Sequence, residues 1–235
     1  MAKRVLLKLS GEALEGDGSP LEPETLCRVA NEIKEASVGA QIGVVIGGGN
    51  LFRGLSGAAK GMDRTAADTM GMLATLMNCI ALQDALQQAD QPATLLSAIP
   101  VQQICEPFSR RRTLELLNKG EVVLFAGGTG NPYFTTDTAA ALRGLEIDAE
   151  VMLKATKVDG VYDKDPARHP DAKRFDTISY DEVLERQLGV MDLTAITLCR
   201  DNNLPLLVFD MTQPGTITKV ISGQGHATWV GPRKS

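Results

Sequence analysis

The chain has 235 residues, 43% hydrophobic and 23% charged, with a net charge of -5 and an isoelectric point near 5.2. That is enough for one large domain or two small lobes around a sizeable core. The acidic balance argues against a nucleic-acid binder, and no apolar run approaches the ~20 residues that a membrane span needs.

Residues 4–9 read as a buried first strand ending in Lys8-Leu9-Ser10-Gly11. The amino terminus runs straight into this strand without a signal-peptide pattern, so a cytoplasmic protein is expected. Leu26, Val29, Ala30 and Ile33 recur at helical spacing over 22–36. A second strand, 41–46, runs into Gly47-Gly48-Gly49-Asn50. Three consecutive glycines leave backbone N–H groups unobstructed and predict an anion nest, with phosphate the usual guest. Asp63 or Thr65 is placed to cap a long helix carrying Met70, Leu73, Met77, Ile80 and Ala81. That Met-rich stripe reads as core or as a subunit contact.

A short strand at 93–97 follows, then Arg110-Arg111-Arg112, the only dense basic run, read as a solvated helix start, and 113–118, which belongs to a helix. Gly120 closes that helix. The strand 121–125 leads into a second glycine cluster, Gly127-Gly128-Thr129-Gly130-Asn131. A helix over 136–145 is capped by Thr136 or Asp137. The strand 151–154 opens a long loop whose irregular stretch covers 157–177. Helices at 181–187 and 192–202 and strands at 206–209 and 227–230 complete the chain. Alternating strands and helices predict a mainly parallel sheet covered on both faces.

Cys27, Cys79, Cys105 and Cys199 lack paired spacing and read as buried free thiols. His169 and His226 sit in polar surroundings and read as surface residues, which excludes a histidine triad or metal cage. No segment fits the P-loop, the G-x-G-x-x-G fingerprint, the G-x-S-x-G elbow or the H-R-D and D-F-G kinase set. Phosphate handling must come from the strand ends, where open α/β sheets bind ligands. There Lys8 can neutralise a transferring phosphoryl group, Arg53 lies three residues past the glycines, and Asp68 can accept from ribose hydroxyls. In Thr129-Gly130-Asn131-Pro132-Tyr133-Phe134-Thr135-Thr136-Asp137, hydroxyls and amides suit phosphate and base edges. Asp137 would orient Lys8 or help hold magnesium. Between Lys154 and Pro166, Tyr162 among polar groups suits a base and ribose.

On these segments, with Val44–Gly54, Met70–Thr75, Ser97–Pro100, Leu153–Val161 and Val190–Leu193, the chain resembles bacterial uridylate kinases of the amino-acid kinase superfamily along essentially its whole length. The resemblance implies a three-layer α/β/α sandwich with a mainly parallel sheet, a UMP-binding lobe at 1–150 and an ATP-binding lobe at 151–235. It implies transfer of the ATP γ-phosphoryl group to UMP, with Mg2+ accompanying ATP and no separate protein metal site. Lys8, Arg53 and Asp137 would be catalytic. Lys8, Leu9, Ser10, Gly11, Gly49, Arg53, Thr156, Tyr162 and Asp165 would serve ATP. Gly48, Asp68, Thr129, Gly130, Asn131, Pro132, Tyr133, Phe134, Thr135 and Thr136 would hold UMP. The family is a homohexamer activated by GTP and commonly inhibited by UTP. Gly16, Asp17, Gly18, Ser19, Pro20 and Leu21 lie where its GTP-responsive loop is found. The segment departs from the relatives' wording and is about one residue shorter.

Overall fold

The computed structural model describes residues 3–53 and 61–232. Gly54, the last residue of one resembling segment, lies outside the described residues.

The strands β1 (Lys3–Leu9), β2 (Ala40–Ile46), β3 (Ala93–Ser97), β4 (Glu106–Pro107), β5 (Val122–Ala126) and β6 (Val151–Thr156) belong to one nine-stranded sheet. It is completed by β9 (Thr177–Ser179), β10 (Leu206–Asp210) and β11 (Thr228–Gly231), in the order β4-β3-β5-β2-β1-β6-β10-β11-β9. Every neighbouring pair is parallel except β10 with β11. A separate hairpin of β7 (Val161–Tyr162) and β8 (Arg174–Phe175) stands inside the stretch expected to be irregular. Two-residue strands are too short for a sequence period to register.

Period-two alternation sorts the strand side chains to two faces. Val5, Leu7 and Leu9 join α1 (Pro23–Ser37), α2 (Arg64–Gln88) and α7 (Thr216–Ile221) in one core layer. Leu6, Val45, Phe125 and Met152 join α3 (Arg110–Asn118), α4 (Thr136–Glu146), α5 (Tyr180–Glu185) and α6 (Leu193–Asp201) in the other. This is the expected α/β/α sandwich. The sheet runs unbroken across the lobe boundary expected near residue 150, because β1 pairs with both β2 and β6.

The long helix α2 is capped by Asp63, whose carboxylate accepts from Ala66 N–H at 2.9 Å. With 25 residues it has the length and composition of a membrane span, but Cys79, Leu82 and Leu86 bury one face in the sheet core. It reads as the core helix of a globular fold. Its other face exposes Met70, Leu73, Met77 and Ile80, so that stripe is not core. The arginine triplet forms the first turn of α3, the solvated helix start expected of it. Helix α4 is capped by Thr135, which accepts from Asp137 and Thr138 N–H groups, and not by Thr136 or Asp137. All four cysteines are free thiols. Cys79 and Cys199 are buried as expected, but Cys105 is only partly buried and Cys27 is exposed. His169 and His226 are at the surface.

Candidate active site

Lys8 on β1 and Lys154 on β6 are direct partners in the parallel register. Alternation turns both toward α4, with Leu6 and Met152 one step below them on the same face. Two ammonium groups side by side on one face of a sheet repel. Asp137, in the first turn of α4, resolves this: its Oδ1 lies 2.8 Å from Lys8 Nζ and its Oδ2 2.6 Å from Lys154 Nζ. All three side chains are at most 15% exposed. Lys8 Nζ is close to Oδ1 but not aligned for a hydrogen bond. The pair is therefore chiefly Coulombic, and the separation governs it. Burial pushes the Asp137 carboxyl up, but Lys8 and Lys154 together outweigh it and hold the group below the ordinary carboxylate range. Burial lowers Lys154 from the usual lysine range, against the opposing pull of Asp137. The result is a cationic pair, locked by one anion, at the carboxyl ends of adjacent parallel strands.

Asp192 fixes the orientation of α4. It caps α6 at Ala195 N–H, 2.9 Å, and accepts from the hydroxyls of Thr135 and Thr138. Burial first, and then the charges of Asp137 and Asp192, push the neighbouring Cys199 thiol up to about 12, so it stays protonated and unreactive. The sequence reading missed Lys154 and Asp192 as site residues. A lysine inside the buried run Val151-Met-Leu-Lys-Ala-Thr156 is the signal for the first; nothing local announces the second.

A cleft of about 540 Å³ opens at Lys8, one member of the lysine pair. Lys8, Ser10, Gly11, Gly48, Gly49 and Arg53 line it together with Asp68, Thr129, Asn131, Phe134, Thr135 and Thr136. Gly130, Pro132 and Tyr133 shape the loop without lining the cleft. Leu9 is a correction: its side chain is wholly buried and its carbonyl accepts from Gly47 N–H at 2.9 Å, so its side chain cannot reach ATP. The glycine triplet also works differently from expectation. None of Gly47, Gly48 or Gly49 is left-handed, as an alternating nest would need. Gly48 is glycine because a Cβ there would sit 2.8 Å from both Ala74 Cβ and Gly71 O on α2. Arg53 is exposed and engaged by Glu12, which also takes Lys157 Nζ at 3.1 Å.

Asp68 is turned toward protein groups. Its Oδ2 accepts from Arg64 Nε and from Tyr133 N–H, each at 2.8 Å. Thr129 and Asn131 bond to one another within their loop.

Thr156, Tyr162 and Asp165 line a second cavity of about 580 Å³ that also touches Lys154. Tyr162 Oη donates to Asp159 at 2.6 Å, while Asp165 accepts from Ala167 N–H at 2.9 Å and braces the loop. Residues 16–20 line a third depression together with Ser10, Glu12 and Thr156. Gly16 and Ser19 pair across a tight turn in which Asp17 and Gly18 are both left-handed, as a primed hairpin turn requires. Leu21 lies outside that depression. Among the described residues no three His, Cys, Asp or Glu side chains converge as a metal site. Asp137 is already matched by two cations, which favours orienting Lys8 over binding magnesium. A Mg2+ ion would be held mainly by nucleotide phosphates and water.

The model of the amino acid kinase family matches residues 3–210. The UMP kinase of Ureaplasma parvum superposes with a TM-score of 0.94 at 36% identity, covering 98% of this chain and 99% of its own. The UMP kinase of Bacillus anthracis gives 0.94 at 36% identity, covering 99% and 97%.

Proposed function

The chain belongs to the amino acid kinase family, and from that premise we propose that it is a nucleoside monophosphate kinase transferring the γ-phosphoryl group of ATP to UMP. The observation that carries this reading is the Lys8–Asp137–Lys154 array beside the 540 Å³ cleft. Phosphoryl transfer needs positioning and charge neutralisation more than covalent help. Lys8 and Lys154 would face the phosphoryl group in flight. Asp137 would keep the two ammonium groups adjacent and fixed, so that little reorganisation is needed as charge develops. UMP would occupy the cleft between Gly48, Asp68 and the 129–136 loop. ATP would lie toward Thr156, Tyr162 and Asp165 with its phosphates at Ser10, Gly11 and Gly49. The UMP lobe would thus span 1–150 and the ATP lobe 151–235. Magnesium, when bound, supplies further charge neutralisation on the phosphates. Arg53 would have to leave Glu12 to touch a phosphate.

Purified protein with ATP, Mg2+ and UMP should yield ADP and UDP in equal amounts. Turnover confined to amino-acid or carbamate acceptors, or no turnover, would overturn the reading.

The same proposal covers assembly, location and control. An exposed row of Met70, Leu73, Met77 and Ile80 on one helix is an apolar surface that a symmetric copy can cover. A closed homo-oligomer, a hexamer by resemblance, is therefore expected in the cytoplasm. Sedimentation should give a mass several times that of the chain, and a monomer at working concentrations would refute it. GTP and UTP would act as effectors, GTP through the turn at 16–21 bordering Ser10 and Glu12.

A further inference from the structure

Four residues between 127 and 133 have a left-handed backbone. Gly127, Gly128 and Gly130 have φ of 76°, 58° and 81°, and Tyr133 has φ of 71°. Glycine adopts this conformation freely, whereas a tyrosine is disfavoured there by its Cβ. The Tyr133 side chain is 65% exposed, so burial does not impose the conformation. Its N–H, however, donates to Asp68 Oδ2 at 2.8 Å, from a helix 65 residues away in sequence. The same oxygen fixes Arg64 Nε, and the Arg64 guanidinium lies over the Tyr133 ring, 5.5 Å from its centroid. The loop is also tied at its ends, by Gly130 N–H on Gly127 O and by Thr135 on Asp192. Asp68 supplies the tie between them, at the one strained position that is not glycine.

We propose that Asp68 is a positioning residue. Its carboxylate clamps Tyr133 in the left-handed turn and so sets the shape of the 129–136 loop that receives the nucleoside monophosphate. This rests on the reading of the cleft as the UMP site. It assigns Asp68 a route to substrate affinity through the backbone of another loop, which a ribose contact alone would not have.

The test is a double-substitution cycle with an exchange measurement on the nucleotide-free protein. Glycine at 133 needs no clamp. Asp68→Ala should raise KM for UMP about tenfold with a smaller change in kcat, the scale of one strained residue released. The same substitution made in a Tyr133→Gly background should cost less than about threefold. Asp68→Asn keeps an acceptor for the Tyr133 N–H, so it should raise KM for UMP less than Asp68→Ala does. An equal penalty in both backgrounds, or none in either, overturns the proposal. Without nucleotide, amide exchange at Tyr133 should quicken about tenfold or more in Asp68→Ala and change little in Asp68→Asn. Unchanged exchange in Asp68→Ala also overturns the clamp. If the unsubstituted protein phosphorylates no UMP, the functional reading fails alone, and the exchange arm still decides the clamp.

Discussion

Replacing Lys8 by methionine is expected to lower kcat by about 10³-fold, the scale of removing one preorganised donor from a developing charge. Its thermal midpoint should move little, because Lys154 and Asp137 remain paired at 2.6 Å. Asp137→Asn should behave differently. It leaves two ammonium groups, 9% and 13% exposed, facing each other without the anion between them. Activity should fall at least as far, and stability with it, by about 3 kcal/mol, which is typical of breaking a buried pair. For a chain of this size that is roughly 6–12 °C. Measuring kcat and thermal midpoint on both variants separates chemistry from structure. Turnover of Lys8→Met within tenfold of the unsubstituted protein would remove Lys8 from the catalytic group. A stability loss in Lys8→Met equal to that of Asp137→Asn would make the array structural.

The second large effect concerns the base. Uracil presents an N3–H donor and an O4 acceptor; cytosine presents an N3 acceptor and an N4 amino donor. In the 129–136 loop, Thr129 and Asn131 bond to one another before any ligand arrives, so their remaining donors and acceptors are already aimed. A site with fixed polar groups leaves them unpaired against the wrong base, which is costly, and such sites discriminate by roughly 10⁴-fold. The expected result is a kcat/KM for UMP about 10⁴ times that for CMP at fixed ATP and Mg2+. Values within tenfold of each other would show that this loop does not read the base through fixed partners.

Much of the fold was legible because its strands are continuous apolar runs, as buried parallel strands must be. Val122 to Ala126 and, between flanking charges, Val5 to Leu7 announce themselves this way. The short elements did not. Glu106–Pro107 and Thr177–Ser179 are strands only because a neighbour supplies the pairing. Part of the site was legible for a similar reason: Lys8 and Asp137 stand out as charges at the ends of apolar elements. Lys154 became visible only through register, which places it beside Lys8 across 146 residues of chain. The Asp192 contact with Thr135 is equally nonlocal. Asp68 was legible as a carboxylate facing the cleft but not in its contacts. Its helix position suggested a free carboxylate for a sugar, but the fold had already given one of its oxygens to Arg64 and Tyr133. The glycine triplet was over-read as an anion nest when Gly48 is small so that α2 can approach.

The place of β1 in the middle of the sheet, with four strands on either side, bears on how the protein is born. During synthesis one side of β1 gains β2, β5, β3 and β4 from the first 126 residues, but its other edge waits for β6 at 151–156. Until then the nascent chain carries a long apolar edge with unpaired backbone groups, a template for pairing with a second unfinished chain. The carboxyl-terminal third therefore acts as the cover for a half-made sheet before it has any catalytic duty. A product interrupted near residue 150 becomes a client for chaperones or a seed for aggregates, not a working half-enzyme.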